Sequence, residues 1–176
     1  INGTLTDTAG ALIPNEAVPG PEPGGMYTTS TVNFEIGAED VEILDLDQNQ
    51  LAYFNSQLFP GIPGFGAHTD KFAVEVVSFL ELTAGEHTLG ISTTSERTDI
   101  NDDDAYQVFV ATNPRDFFGL KVAEYERVAP GFQNKWRNEN KFTVKAPVTG
   151  LYPFRILYWQ TGNGGSLDIY TINDTT

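Results

Sequence analysis

The most concentrated polar feature of this 176-residue chain is the acidic stretch at residues 98–104, TDINDDD. Four carboxylates within six residues repel one another, and a hard cation such as Ca²⁺, which takes several oxygen ligands, relieves that repulsion. Three oxygen-bearing residues match the ligand spacing of an EF-hand loop, but Asp104 stands where that loop needs Gly and Val110 where it needs Glu. The stretch is therefore not an EF-hand, and a calcium loop and a solvated acidic loop both remain open.

Side chains for catalysis are few. The chain has two histidines and no cysteine; His68 lies in a Gly-rich segment, and His87 shares strand phase with Leu89 and Ile91, which predicts a satisfied, partly buried ring. The chain therefore has too few histidines to favour a catalytic triad or a multi-histidine metal site. Without cysteine it can form neither thiolate sites nor disulfides. No phosphate-binding or dinucleotide motif occurs. We expect a non-enzyme, and a hydrolase or lyase using a carboxylate pair is the catalytic alternative.

Aromatic side chains beside polar segments are the second group of candidate binding residues. Trp136 lies in the polar sequence GFQNKWRNEN, and Trp159 precedes Gln160 and the Gly-rich sequence TGNGG. Sugar rings present apolar C–H faces that stack on such rings, and an exposed Trp is unfavourable without a partner. For both Trp residues, sugar contact and packing remain open. Packing is expected for three other aromatic residues: Tyr152, Phe154 and Tyr158.

The elements that must position these side chains have the pattern of short β-strands. Phe72–Leu82 alternates with the two-residue period of a half-buried strand, and a turn joins it to the next strand as a hairpin. About nine strands are predicted, with a long loop after the second: Thr31–Ile36, Val41–Leu46, Phe72–Leu82, His87–Ser92, Ala105–Ala111, Gly119–Glu126, Lys141–Ala146, Leu151–Gln160 and Ser166–Ile172. No window sustains a helical period. The predicted fold is all-β, an antiparallel, jelly-roll-like β-sandwich.

The composition changes near residue 25. Residues 1–25 carry five Gly and four Pro, which favours a flexible or draped N-terminal arm. Residues 26–176 are predicted to form a single sandwich domain, since one domain suits an all-β chain of this length. Within it, the sequence FPGIPGFG at 59–66 suits neither a helix nor a central strand.

The charge is strongly negative and unevenly placed. The formal net charge is −14, and residues 1–70 hold ten acids and no Lys or Arg. Such a chain is a poor nucleic-acid binder, whereas neutral sugars and cations suit it; acidity for solubility alone is the alternative. No apolar run approaches the roughly 20 residues of a membrane span, so no membrane insertion is expected. Without an initiator Met or a signal-peptide pattern, the chain is expected to be a module excised from a larger multidomain protein or a processed mature fragment.

Three sequence stretches together form a family pattern: LTAGEHTLGIS (Leu82–Ser92), DDAYQV (Asp103–Val108) and GLYPFRILYWQTGNGGSLDIY (Gly150–Tyr170). They resemble the β-sandwich domain of the anthrax protective-antigen type. That family includes the sugar-binding domains of yeast flocculins and epithelial adhesins, and modules attached to glycosidases. The segment NPRD looks like modules of large surface or secreted bacterial proteins. The resemblance covers residues 70–172 and implies an extracellular or cell-surface location.

The resemblance also implies a calcium site. In lectin members of the family, two adjacent Asp residues joined by a cis peptide bond bind Ca²⁺ and hold sugar hydroxyls; here these are Asp103 and Asp104. A further ligand, usually Asn, falls on Gln160, and the backbone carbonyls of Gly162 and Gly164 would complete the shell.

The function that follows from the resemblance is Ca²⁺-dependent carbohydrate binding without catalysis. Trp136 and Asn163 are expected to contact a neutral glycan or polysaccharide beside Asp103 and Asp104. The module would tether a larger secreted or surface protein to that glycan. The alternative is a structural or adhesive spacer of a large bacterial surface protein, in which calcium only adds rigidity.

Overall fold

The structure is a computed structural model that describes residues 5–6, 8–13, 17–35, 41–44, 50–54, 57–62, 72–93, 104–125, 138–160 and 165–172. Within these ranges the chain forms thirteen strands: β1 (Leu5–Thr6), β2 (Leu12–Ile13), β3 (Asn33–Glu35), β4 (Val41–Leu44), β5 (Gln50–Phe54), β6 (Gln57–Leu58), β7 (Phe72–Leu82), β8 (Gly85–Thr93), β9 (Asp104–Val110), β10 (Leu120–Tyr125), β11 (Asn138–Ala146), β12 (Gly150–Gln160) and β13 (Ser166–Ile172). None of the described residues belongs to a helix long and apolar enough to span a membrane.

Two sheets form a sandwich. The four-stranded sheet has the order β10-β9-β12-β7, and the five-stranded sheet has the order β11-β8-β13-β3-β6. Their pairings are antiparallel except that of β3 with β6, which is parallel. From β7 to β13 the chain crosses between the sheets at every connection except β9 to β10. The predicted all-β sandwich is confirmed.

The strand bounds follow the local alternation of the sequence. Strands β7 and β13 have the predicted bounds, and the other seven predicted strands differ by three residues or fewer at either end. The long loop predicted after the second strand is wrong in part, because Gln50–Phe54 pairs with β4 as an antiparallel hairpin. The sequence QLAYF does not alternate, so only this pairing reveals the strand.

The inward-facing residues of both sheets share one core. The four-stranded sheet contributes Tyr106, Val108, Phe154, Ile156 and Tyr158, and the five-stranded sheet contributes Phe34, Leu89, Ile91 and Leu167. The buried positions of Phe154 and Tyr158 and the half-buried position of Tyr152 confirm the packing predicted for these three. Phe59 also lies in this core, although it belongs to no strand.

One end of the sandwich collects strand ends from both sheets. Strand β9 begins and β12 ends there, because Asp104 and Gln160 are partners in the β9–β12 register. Strand β13 begins there too, and its antiparallel neighbour β8 ends there, with Thr93 paired to the first residue of β11. We call this end the rim. The segments 94–103, 126–137 and 161–164, which lie outside the described residues, join strands whose ends meet at the rim.

Residues 17–27 of the N-terminal region are hydrogen-bonded to the rest of the chain. The Tyr27 hydroxyl donates to the Val18 carbonyl oxygen at 2.9 Å, and the Val18 amide donates to the Gly61 carbonyl oxygen at 2.8 Å. The Arg115 guanidinium donates to Met26 Sδ at 3.1 Å. Residues 17–27 therefore form a turn that is bonded to Gly61 near its start and to Arg115 near its end.

Candidate functional site

Asp104 and Gln160 lie side by side at the rim. They are Cα partners on the adjacent antiparallel strands β9 and β12, a relation that brings Cβ atoms to about 4.5–5.5 Å. Both share the alternation phase of the buried Tyr106 and Tyr158, so both side chains point inward, and each is 1% exposed. Two predicted calcium ligands that are distant in sequence are thus neighbours in space.

Asp104 and Gln160 occupy the end of the inner face of the four-stranded sheet at the rim. The next inward-facing row holds Tyr106 and Tyr158, both fully buried, and the row after it holds the apolar Val108 and Ile156. In the five-stranded sheet, Thr93 ends β8 at the same end, in the inward phase of Ile91, and is fully buried. A carboxylate as buried as that of Asp104 requires hydrogen bonds or a cation to offset its lost hydration.

Gly165 brings the connection between β12 and β13 against this pair. A Cβ atom at this position would lie 3.1 Å from Asp104 Oδ1 and 3.1 Å from Gln160 Cγ, and it would overlap Tyr158 Oη. Glycine is needed because the backbone approaches three buried side chains with no space for one of its own. The sequence pattern alone does not single out Gly165, and its only signal is its place as the last Gly before the strand.

Gly165→Ala is expected to destabilise the protein by about 1–3 kcal/mol, the usual cost of overpacking a closed site. The added methyl group overlaps the Tyr158 hydroxyl, which belongs to a fully buried side chain. Tyr158→Phe removes that oxygen, so Gly165→Ala should cost less in the Tyr158→Phe background. Urea denaturation of the wild type, both single variants and the double variant measures this coupling.

Gly150→Ala is the matched control for this substitution. Gly150 is the first residue of β12 in the four-stranded sheet, and a Cβ atom there would have nothing within 4 Å. We expect no loss of stability at Gly150. Equal costs for Gly165→Ala in the wild-type and Tyr158→Phe backgrounds would contradict the assigned contact.

Five predicted site residues lie outside the described residues: Asp103, Trp136, Gly162, Asn163 and Gly164. The peptide bond between Asp103 and Asp104, for which the resemblance implies a cis conformation, lies outside them as well. Their segments join strands whose ends lie at the rim. Within the described ranges, no group of three or more His, Cys, Asp or Glu residues is placed to hold a metal ion.

The described histidine is remote from the rim. His87 lies near the start of β8, at the opposite end of the sandwich. Its ring is half-buried, and its Nε2 donates to the Thr83 carbonyl oxygen at 2.7 Å, which confirms the predicted satisfied ring. His68 lies outside the described residues.

The candidate site is therefore built on Asp104, Gln160 and the backbone at Gly165, at the rim. Its described donors are a carboxylate and an amide oxygen, both hard ligands of the kind that Ca²⁺ prefers. No protein-family model, no curated protein and no solved structure matches this chain.

Proposed function

We propose that this chain is a non-catalytic, extracellular module that binds a neutral glycan through a Ca²⁺ site at the rim. The observation that carries the proposal is the buried pairing of Asp104 with Gln160 beneath the backbone of Gly165. These residues come from two of the three stretches that resemble the protective-antigen type of domain, and they meet at one end of the fold.

The donor set fits calcium. Ca²⁺ takes six to eight oxygen ligands, and Asp104 and Gln160 supply a carboxylate and an amide oxygen. Asp103 precedes Asp104 directly, and the carbonyl groups of Gly162 and Gly164 follow Gln160 within four residues, so further oxygens are available from neighbouring sequence. When bound, the ion would neutralise the adjacent carboxylates and offer coordination positions to sugar hydroxyls.

The glycan contacts would come from the segments that leave the rim. Trp136 belongs to the segment 126–137 and Asn163 to the segment 161–164, both of which join strands at this end. An indole ring stacks on the apolar face of a sugar, and an amide pairs with hydroxyl groups. The net charge of −14 favours a neutral glycan, because an anionic one would be repelled.

The same charge argues against a nucleic-acid partner, since few cations are available to displace counterions. The resemblance to modules of large surface and secreted proteins supports a place in a larger extracellular chain. In that setting the module would tether its parent protein to a polysaccharide without inserting into a membrane.

Affinity electrophoresis in gels that contain neutral polysaccharides tests the proposal. Retention is expected with Ca²⁺ and lost with EDTA, and Trp136→Ala should lose retention while the Ca²⁺-induced rise in melting temperature remains. Phe118→Ala is the matched control, because it removes an exposed ring from the opposite end of the sandwich and should be retained like the wild type. No retention on any polysaccharide in Ca²⁺, or turnover of a polysaccharide by the isolated chain, would contradict it.

A structural spacer that uses calcium for rigidity is the second candidate. The burial of Asp104 and Gln160 favours it, because ligands hidden from solvent suit an ion that is enclosed by the protein. This function predicts a higher melting temperature in Ca²⁺ together with no retention on any glycan. The two measurements therefore separate the two candidates.

A further inference from the structure

The outward surface of the four-stranded sheet has an apolar region along β12 and part of β7, beside polar residues of β9 and β10. Outward residues of sandwich strands are normally polar, but those of β12 are apolar apart from one arginine: Leu151, Pro153, Arg155, Leu157 and Trp159. Phe79 and Val77 on β7 are the register partners of Pro153 and Arg155. Phe79 is 57% exposed and Leu151 is 67% exposed. We call this contiguous surface the outer face.

The cation at the centre of the outer face is already neutralised. The Arg155 Nε donates to Glu75 Oε1 at 2.6 Å. The Arg155 Cζ lies 4.8 Å from the ring centroid of Phe117 and 5.9 Å from that of Phe109. A partner can cover such an arginine without leaving an unpaired buried charge. Aromatic residues around an arginine are also the composition that protein interfaces favour.

The outer face is nearly neutral on a strongly acidic molecule. Besides the pair of Arg155 with Glu75, its strands carry the ion pair of Lys121 with Glu124 and, near one edge, Glu81. A basic partner would be drawn to the rest of the chain, whose net charge is −14, and an acidic partner would be repelled. The partner that fits is a neutral apolar surface of similar size, and a second copy of this chain presents one.

The size of the outer face suits a stable dimer. The whole outward side of the sheet, four strands about 4.8 Å apart with about 3.3 Å per residue, spans roughly 550 Å² before side-chain relief is added. This area includes the polar positions around the outer face and the buried Ala105. The exposed ring of Phe117, which lies over Arg155, extends this area. A standard interface buries about 800 Å² on each partner, which the face and its adjoining loop can supply.

We propose that two copies of this chain associate through their outer faces as a two-fold symmetric dimer. In this arrangement the four-stranded sheets stack face to face, about 10 Å apart. The inward-pointing Asp104 and Gln160 are not part of the interface, so the rim stays accessible in both copies. The dimer therefore does not depend on the proposed calcium site.

Sedimentation equilibrium of the whole chain in EDTA tests this proposal over a wide range of concentrations. A monomer–dimer equilibrium is expected, and added sodium chloride should strengthen it by screening repulsion between the acidic molecules. Leu151→Asp and Phe79→Asp should each weaken the dimer roughly a hundredfold, because a symmetric interface contains every substitution twice and buries each new carboxylate on apolar surface.

Leu12→Asp is the matched control, since Leu12 is 68% exposed against 67% for Leu151 but belongs to the separate β1–β2 pair. It should leave the dimer unchanged. A monomer at every concentration would overturn the proposal. A dimer that survives both face substitutions, or that Leu12→Asp weakens equally, would overturn it as well. Circular dichroism and melting temperatures establish that each variant is folded.

Discussion

Asp104→Asn is expected to weaken Ca²⁺ binding by about a hundredfold or more and to abolish the Ca²⁺-induced rise in melting temperature. The substitution preserves the shape of the side chain and removes the negative charge that a hard cation requires. Altering a residue that only supports a metal ligand costs about 10–100-fold, so loss of the ligand charge should reach at least the upper end of that range. Isothermal titration calorimetry and thermal melting with and without Ca²⁺ measure both effects.

Asp168→Asn is the matched control for that experiment. Asp168 is also almost fully buried, at 2% exposed, but it lies in β13 of the five-stranded sheet. Its neighbour Leu167 points into the core, so Asp168 points to the opposite face of that sheet. Removing its charge tests whether loss of any buried carboxylate disturbs the protein equally. Equal losses of Ca²⁺ affinity in the two variants, or unchanged affinity in Asp104→Asn, would show that Asp104 is not a calcium ligand.

Phe59→Ala is expected to lower the free energy of unfolding by about 3–5 kcal/mol, the typical cost of emptying the site of a buried Phe. For a chain of this size, that corresponds to roughly 6–20 °C in melting temperature. The ring is 4% exposed, and its centroid lies 5.4 Å from Phe34, 5.2 Å from Phe72 and 5.3 Å from Tyr158. Because Phe34 belongs to one sheet and the other two rings to the second, Phe59 joins the sheets, and its loss leaves a cavity between them.

Phe118→Ala provides the matched control for Phe59→Ala. Phe118 is 97% exposed, so its truncation should change the free energy of unfolding by less than about 0.5 kcal/mol. Chemical denaturation of both variants provides the comparison. A loss below about 1 kcal/mol in Phe59→Ala would show that the surrounding rings close the cavity, and Phe59 would then not be the element that holds the two sheets together.

The fold was largely predictable because most strands alternate. Phe72–Leu82 exposes and shields successive residues with a period of two, and its observed bounds are the predicted ones. The positions of residues in segments that do not alternate were not predictable. Phe59 follows a two-residue strand within a Gly- and Pro-rich sequence, and nothing in its local pattern indicates a place in the core.

The candidate site was predictable in part. The acidic run and the resemblance predict Asp104 and Gln160 as ligands, which stays a prediction, and the structure places the two residues opposite each other. The role of Gly165 was not predictable, because it depends on how closely one strand connection passes over side chains from two other strands. The apolar outer face was also missed, since a strand such as β12 that is apolar in both phases shows no period that distinguishes its inner from its outer side.

By itself the sequence determined the all-β class, the place of most strands, the acidic character and the residue types available for a cation. These are local properties, because alternation and charge are read over a few residues. Only the tertiary structure decided that Asp104 faces Gln160, that Gly165 lies against both, and that an apolar face surrounds Arg155. Register between strands far apart in the chain is set by packing the core, and no local period encodes that pairing.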